Sequence, residues 1–168
     1  SLAENHASRA DIAAAVKRME RFISSSFLLN STHIMCQSGR ISKRVQILCD
    51  ALLLHPVLVL KKSKMVVGNM TMGSFSHTAK KYVKWILQET RAIDRRILII
   101  TYSGLDQKKL QYIQNLVQQY CPFERVYLQK ASSAITSNCG PESFGLLFMR
   151  KDDMGISAIQ IVKQDGAA

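Results

Sequence analysis

The stretch "RRILIITYSG", residues 95–104, is a continuous apolar run bounded by charge on one side and glycine on the other. Such a run is typical of a strand buried inside a sheet. Asp106 can cap the start of a following helix, and "ERVYLQKA", residues 124–131, then reads as another strand. This order of strand, helix and strand predicts an α/β fold. The inner face of that helix is expected to carry Leu110, Ile113 and Val117.

Helical periodicity recurs on the N-terminal side of this stretch. Apolar residues at helical spacing predict three amphipathic helices, at positions 12, 16, 19 and 23, at 41, 45, 48 and 52, and at 79, 82, 83, 86 and 87. Strands are predicted at "FLLNSTHIM", residues 27–35, in a hairpin across 56–71, at 144–149 and in an edge strand at 155–163. We therefore expect an α/β two-layer sandwich, a mixed β-sheet with helices packed on one face, formed by a single domain over residues 1–168.

The composition indicates a soluble globular chain. Its formal net charge is +11, from 23 Lys and Arg against 12 Asp and Glu, yet no basic run exceeds two residues. Scattered cations without a stacking platform of aromatics argue against a nucleic-acid site. The four widely spaced cysteines fit a reducing, cytoplasmic compartment, and neither a secretory signal nor a membrane span is evident.

The segment "SNCGPESFGLLFM", residues 137–149, places small polar residues and a Gly-Pro corner before an apolar strand. Ser137, Asn138, Cys139 and Gly140 could offer hydroxyl, amide and backbone donors to a carboxylate or phosphate. The other interpretation is an ordinary tight turn at a strand end, which the pattern alone favours.

Two further positions are candidates for the same site. Arg40 stands at a helix start, where a cation is unfavourable, so it should have a specific partner in a ligand or in the protein. Ser74 lies in the glycine-then-hydroxyl entry to a helix, "GSFSHT", in which Ser76 is the plain N-cap candidate. Catalysis by Cys139 is not expected because no histidine lies nearby in sequence. Without nucleotide, metal or paired-carboxylate motifs, we predict neither an enzyme nor a metal or cofactor site.

Three stretches in order, "SGRIS", "HPVLVLKKSKM" and "KASSAITSNCGPESFGLLF", resemble the C-terminal domain of the DegV family of fatty-acid-binding proteins. The resemblance covers roughly residues 10 to 150. It implies the C-terminal half of a two-domain protein, with the upstream domain absent, that holds a long-chain fatty acid and presents it to a partner kinase for acyl phosphate formation. It also implies a polar mouth formed in part by the residues at 137–140, with Ser74 and Arg40 nearby.

The chain departs from the family pattern at that mouth. Ser137 and Asn138 stand where many members have a Thr-His pair, Glu142 replaces the second glycine of the usual Gly-Pro-Gly, and Ser74 replaces an arginine. An inward-pointing Glu142 would oppose a bound carboxylate. These departures leave an alternative open, a regulatory or interaction domain that has lost lipid binding and docks an acidic partner through its basic surface.

Overall fold

The computed structural model describes residues 8–39, 41–61, 64–88 and 90–151. Within these ranges, helices and strands are interspersed along the chain, with one pair of consecutive helices and one pair of consecutive strands. Their bounds are α1 Arg9–Glu20, β1 Ile23–Leu28, α2 His33–Gln37, α3 Lys43–Ala51, β2 Leu54–Lys61, β3 Lys64–Met72, α4 Phe75–Leu87, a 3-10 turn at Thr90–Ala92, β4 Ile93–Ser103, α5 Gln107–Tyr120, β5 Arg125–Lys130, α6 Ser133–Cys139 and β6 Ser143–Arg150.

The strands form one mixed sheet in the order β3-β2-β1-β6-β4-β5. Neighbours pair antiparallel except β4 and β5, which pair parallel on either side of the α5 crossover. The stretch that predicted an internal strand is β4, flanked by β6 and β5. The predicted mixed α/β sheet is therefore confirmed, and β6 closes its middle by pairing with both β1 and β4.

The two longest helices, α4 and α5, cover one face of this sheet. Leu98, Ile100 and Leu146 are fully buried beneath them in the main hydrophobic core. Tyr82 of α4 reaches the strands themselves: its hydroxyl lies 2.8 Å from Ser26 Oγ and accepts a hydrogen bond from the Leu146 N–H at 3.1 Å. Burial raises the pKa of Tyr82, so the hydroxyl stays protonated in this dry layer.

The segment 27–35 differs from the strand expected there. β1 ends at Leu28, and α2 begins at His33. The change of structure falls on the polar run 30–32, where Ser31 Oγ accepts a hydrogen bond from the His33 N–H at 3.1 Å. Side chains of this kind compete with a strand's backbone ladder and favour a turn into a helix.

Other boundaries differ more modestly. α3 ends at Ala51, and Leu53 beyond it has a φ of 49°. The N-cap of α4 is Ser74, not Ser76. The predicted edge strand at 155–163 lies outside the described residues.

Candidate functional site

A short turn between α6 and β6 brings polar groups to the end of the sheet where β1 finishes. Gly140 and Glu142 both have positive φ, 76° and 56°. Ser143 Oγ donates to the Cys139 carbonyl at 2.8 Å and accepts from the Asn30 N–H at 3.3 Å. The buried hydroxyl thus fixes the turn to the end of β1. We call this region, with Asn30, Lys109, Glu142 and Ser143, the polar end of the sheet.

The Glu142 carboxylate lies at the centre of the polar end. Lys109 Nζ forms an ion pair with its Oε1, and Asn30 Nδ2 donates to its Oε2 at 3.2 Å. Lys109 Nζ also lies 5.0 Å from the centroid of the Phe75 ring, a cation–π distance. Asn30, just beyond the end of β1, and Lys109, in the first turn of α5, therefore converge on one carboxylate, and Phe75 at the start of α4 lies beside Lys109.

The structure places Ser137 and Asn138 in a helix rather than in a loop. Ser132 caps α6 by accepting from the Ile135 N–H, and Gly140 ends it. Both predicted site residues are exposed, and both donate to the Ala134 carbonyl, Ser137 Oγ at 3.1 Å and Asn138 Nδ2 at 2.7 Å. These bonds turn the two side chains back along their own helix.

Cys139 and Gly140 form the packed side of the same segment. Cys139 is buried against Leu29 and Met35 in a second, smaller hydrophobic cluster. The Gly140 N–H donates to the Thr136 carbonyl at 2.8 Å, and a Cβ at Gly140 would lie 3.2 Å from Ile34. Both residues therefore seat α6 against α2.

The two remaining predicted residues are treated differently by the structure. Ser74 is exposed and stands at the N-cap of α4 without a side-chain capping bond, directly before Phe75. Its neighbour Phe75 is the residue whose ring lies beside Lys109. Arg40 lies outside the described residues.

The face of the sheet opposite α4 and α5 is apolar, and the residues that the structure describes leave much of it uncovered. Side chains alternate along a strand, so Phe27 and Leu147 point away from buried Leu28 and Leu146. Near the polar end, the α2–α6 cluster packs on Phe27 and Leu58 of this face. We call this side of the sheet the open face. Phe27 and Leu58 lie at its packed end, and its remaining apolar residues, Ile97, Ile99, Tyr127, Leu147 and Met149, are half-buried or exposed within the described residues, with Ile97 at 42% and Tyr127 at 49%.

A cavity of about 390 Å³ lies at the opposite end of the sheet. Its lining mixes Trp85 and Val59 with the polar side chains of Ser24 and Lys61. Gly68 lets β3 approach there, because a Cβ would lie 2.7 Å from Val59. The cavity is thus separate from the polar end.

Metal and membrane chemistry have little support in the described ranges. Their histidine, cysteine and acidic side chains include no group of three that could hold a metal ion. Nor does any helix within those ranges combine the length and apolar character needed to span a bilayer.

Sequence reasoning missed Asn30, Lys109 and Ser143. Lys109 had been assigned to a scattered basic surface, although its place three residues after the Asp106 cap fixes it in the first turn of α5. Its partner Glu142 lies 33 residues later, and Asn30 lies 112 residues before that partner. No local pattern signals contacts between such distant residues.

Comparisons with known proteins agree on a single family. A family model described as "Uncharacterised protein, DegV family" matches residues 1–151. A comparison with curated protein sequences finds no significant match.

Solved structures with the same fold include a DegV family protein from Eubacterium eligens loaded with heptadecanoic acid, with a TM-score of 0.74 and 16% identity over 89% of this chain. A fatty-acid-binding DegV family protein from Thermus thermophilus has a TM-score of 0.67 and 24% identity over 89% of the chain. The Streptococcus pneumoniae Fatty Acid Kinase (Fak) B3 protein, loaded with linoleic acid, has a TM-score of 0.70 and 13% identity over 88%. The matches cover 53%, 53% and 52% of those proteins, so this chain spans about half their length.

Proposed function

The chain belongs to the DegV family, and from this premise we propose that it forms part of a protein that binds a long-chain fatty acid. The acyl chain lies along the open face, and the carboxylate lies at the polar end. The protein has no catalytic role of its own. It works in the cytoplasm and presents its ligand to a fatty-acid kinase for acyl phosphate formation.

One observation carries this proposal: an uncovered apolar face runs into a cluster of polar groups. A fatty acid needs an apolar surface for its tail and a few polar groups for its head. The strands supply the first through Leu147 and Ile97, and the turn before β6 supplies the second. The ligands named for the similar structures, heptadecanoic and linoleic acid, have the same two parts.

The predicted contacts keep their place in this proposal. Ser137 and Asn138 are exposed on α6, while Cys139 and Gly140 hold α6 in place at the polar end. Ser74 approaches from α4. Asn138→Ala is expected to weaken fatty-acid binding in the complete protein without unfolding it, and unchanged affinity would remove Asn138 from the site.

The similar structure of the Streptococcus pneumoniae Fatty Acid Kinase (Fak) B3 protein supports the proposal of a kinase partner. A binding protein that leaves the carboxylate at one end of the sheet can offer it to a second protein while the tail stays covered. Direct transfer is tested by adding a fatty-acid kinase and ATP to the loaded protein and measuring acyl phosphate.

Native mass spectrometry of the complete protein with linoleic acid tests the binding itself. We expect a one-to-one adduct, and we expect Ile97→Asp to abolish it because a carboxylate on the open face would be desolvated by the acyl chain. Val16→Asp is the matched control, since Val16 is 62% exposed on α1 and the change in charge is the same. No adduct in the unaltered chain, or equal adducts in both variants, would contradict the assignment.

The second candidate function is the interaction domain without lipid. The Glu142 carboxylate at the polar end favours it, because a carboxylate there opposes a second one. Under this alternative the basic surface binds an acidic protein, and a pull-down would lose the partner steeply as salt rises. Linoleic acid retained through purification would argue against it.

A further inference from the structure

The polar end contains a carboxylate-binding site that the chain fills with its own side chain. Lys109 Nζ and Asn30 Nδ2 approach different oxygens of Glu142, Oε1 and Oε2. An ammonium and an amide thus supply donors to both oxygens of one carboxylate, as a carboxylate-binding site would. The same donors are suited to any carboxylate of that size.

Contacts other than those with Glu142 also position these donors. Lys109 Nζ is drawn toward the Phe75 ring at 5.0 Å, and α5 fixes its backbone after the Asp106 cap. The Asn30 backbone N–H is bonded to Ser143 Oγ at 3.3 Å. Removing the Glu142 side chain would therefore leave both donors near their present places.

The backbone at Glu142 is unusual for the residue that it carries. Its φ of 56° is a conformation that glycine adopts freely and that other residues adopt rarely. Residues held in such regions persist where the surrounding structure determines them, and they cluster at functional sites. Here the hydrogen bond and the ion pair of the side chain hold the residue in place.

The site is open to an external ligand. The Glu142 side chain is 43% exposed and the Lys109 side chain is 28% exposed. A carboxylate arriving from solvent would thus compete with Glu142 for donors that it can reach directly. With an internal competitor, the apparent association constant equals the intrinsic constant multiplied by the fraction of time that the site is free.

We propose that Lys109 and Asn30 form the carboxylate site for the ligand's head group and that Glu142 acts as a built-in competitor for it. The site takes monocarboxylates. That the natural ligand is a fatty acid rests on the proposed function, whereas the carboxylate site stands without it. Glu142 sets the affinity by occupying the site when the ligand is absent.

A titration with sodium hexanoate, followed by NMR of the Asn30 side-chain amide, tests this inference. Glu142→Gly suits the positive φ, so this variant should fold, and it should bind hexanoate about tenfold more tightly than the unaltered chain if Glu142 fills the site about nine-tenths of the time. Glu124→Gly, at an exposed glutamate outside the polar end, is the control for net charge and should bind hexanoate as the unaltered chain does. Adding Lys109→Met to Glu142→Gly should remove the gain, and hexanol should show no gain in any variant.

Equal hexanoate affinity in Glu142→Gly and the unaltered chain would overturn the inference, as would a gain that survives Lys109→Met. Measuring linoleic acid binding in the same variants distinguishes the failure of this inference from the failure of the proposed function. A hexanoate gain without any linoleic acid adduct would support the carboxylate site and contradict the fatty-acid function. Linoleic acid bound equally with and without Glu142 would support that function and refute the competitor.

Discussion

The two faces of the sheet have similar side chains and different surroundings. Beneath α4 and α5, Leu98, Ile100 and Leu146 are fully buried and Tyr82 reaches the backbone of β6. On the open face, neighbouring residues of the same strands, such as Ile97, remain exposed to solvent. The apolar content of a strand therefore does not reveal which of its two faces is buried and stabilises the fold. The covered face holds the fold together, and the open face is where we propose that the acyl chain lies.

The largest expected difference is between two adjacent leucines. Leu146→Ala should destabilise the protein by about 3 kcal/mol, because it removes buried methyl groups and leaves a cavity. Leu147→Ala, on the half-buried open face, should cost about 1 kcal/mol. Urea unfolding of both variants measures the contrast, and equal losses would break the comparison between the faces.

A smaller effect is expected where the open face is closely packed. Gly145→Ala would place a Cβ 2.5 Å from the Ser26 carbonyl oxygen and 2.6 Å from the Phe27 ring. Because a backbone oxygen cannot move aside readily, we expect a loss of about 2 kcal/mol in unfolding free energy. An unchanged urea midpoint would show that this part of the open face is looser than its contacts indicate.

The smallest effect concerns Asp94, at the end of the sheet away from the polar end. The hydrogen bonds from Arg96 hold the pKa of the Asp94 carboxyl below its usual value. A depressed folded-state pKa contributes stability that is present above the unfolded value, near 3.8, and that is lost as the pH falls through the folded value. Arg96→Gln should cost about 1 kcal/mol at pH 7.

The Asp94 effect should disappear in acid. The difference between Arg96→Gln and the unaltered chain is expected to narrow below pH 4, which thermal unfolding across pH 2–7 would follow. A difference that stays constant over this range would assign the effect of Arg96 to packing rather than to the ion pair. The same profiles would show how much this end of the sheet contributes to the free energy of unfolding, compared with the covered face.

Much of the architecture could be predicted because its signals are local. The run at 95–104 predicted β4 and the Asp106 cap predicted the start of α5. The hairpin predicted across 56–71, which interrupts the strand–helix–strand order, predicted that the sheet is mixed. The prediction failed at 27–35, where the polar residues 30–32 separate the end of a strand from a short helix. Helix α6 was also not predicted, because small polar residues that suit a tight turn can equally form a short capped helix.

The phase of the amphipathic helices, the apolar strands and the motifs of the DegV family can all be found from the sequence, since each depends on residues close together in the chain. The covered face of the sheet and the two side chains that contact Glu142 are fixed only by the tertiary fold. Asn30 and Lys109 contact Glu142 because β1 pairs with β6, β6 pairs with β4, and α5 follows β4 at the same end of the sheet. Strand pairing brings distant residues together, and no spacing within the sequence records that proximity.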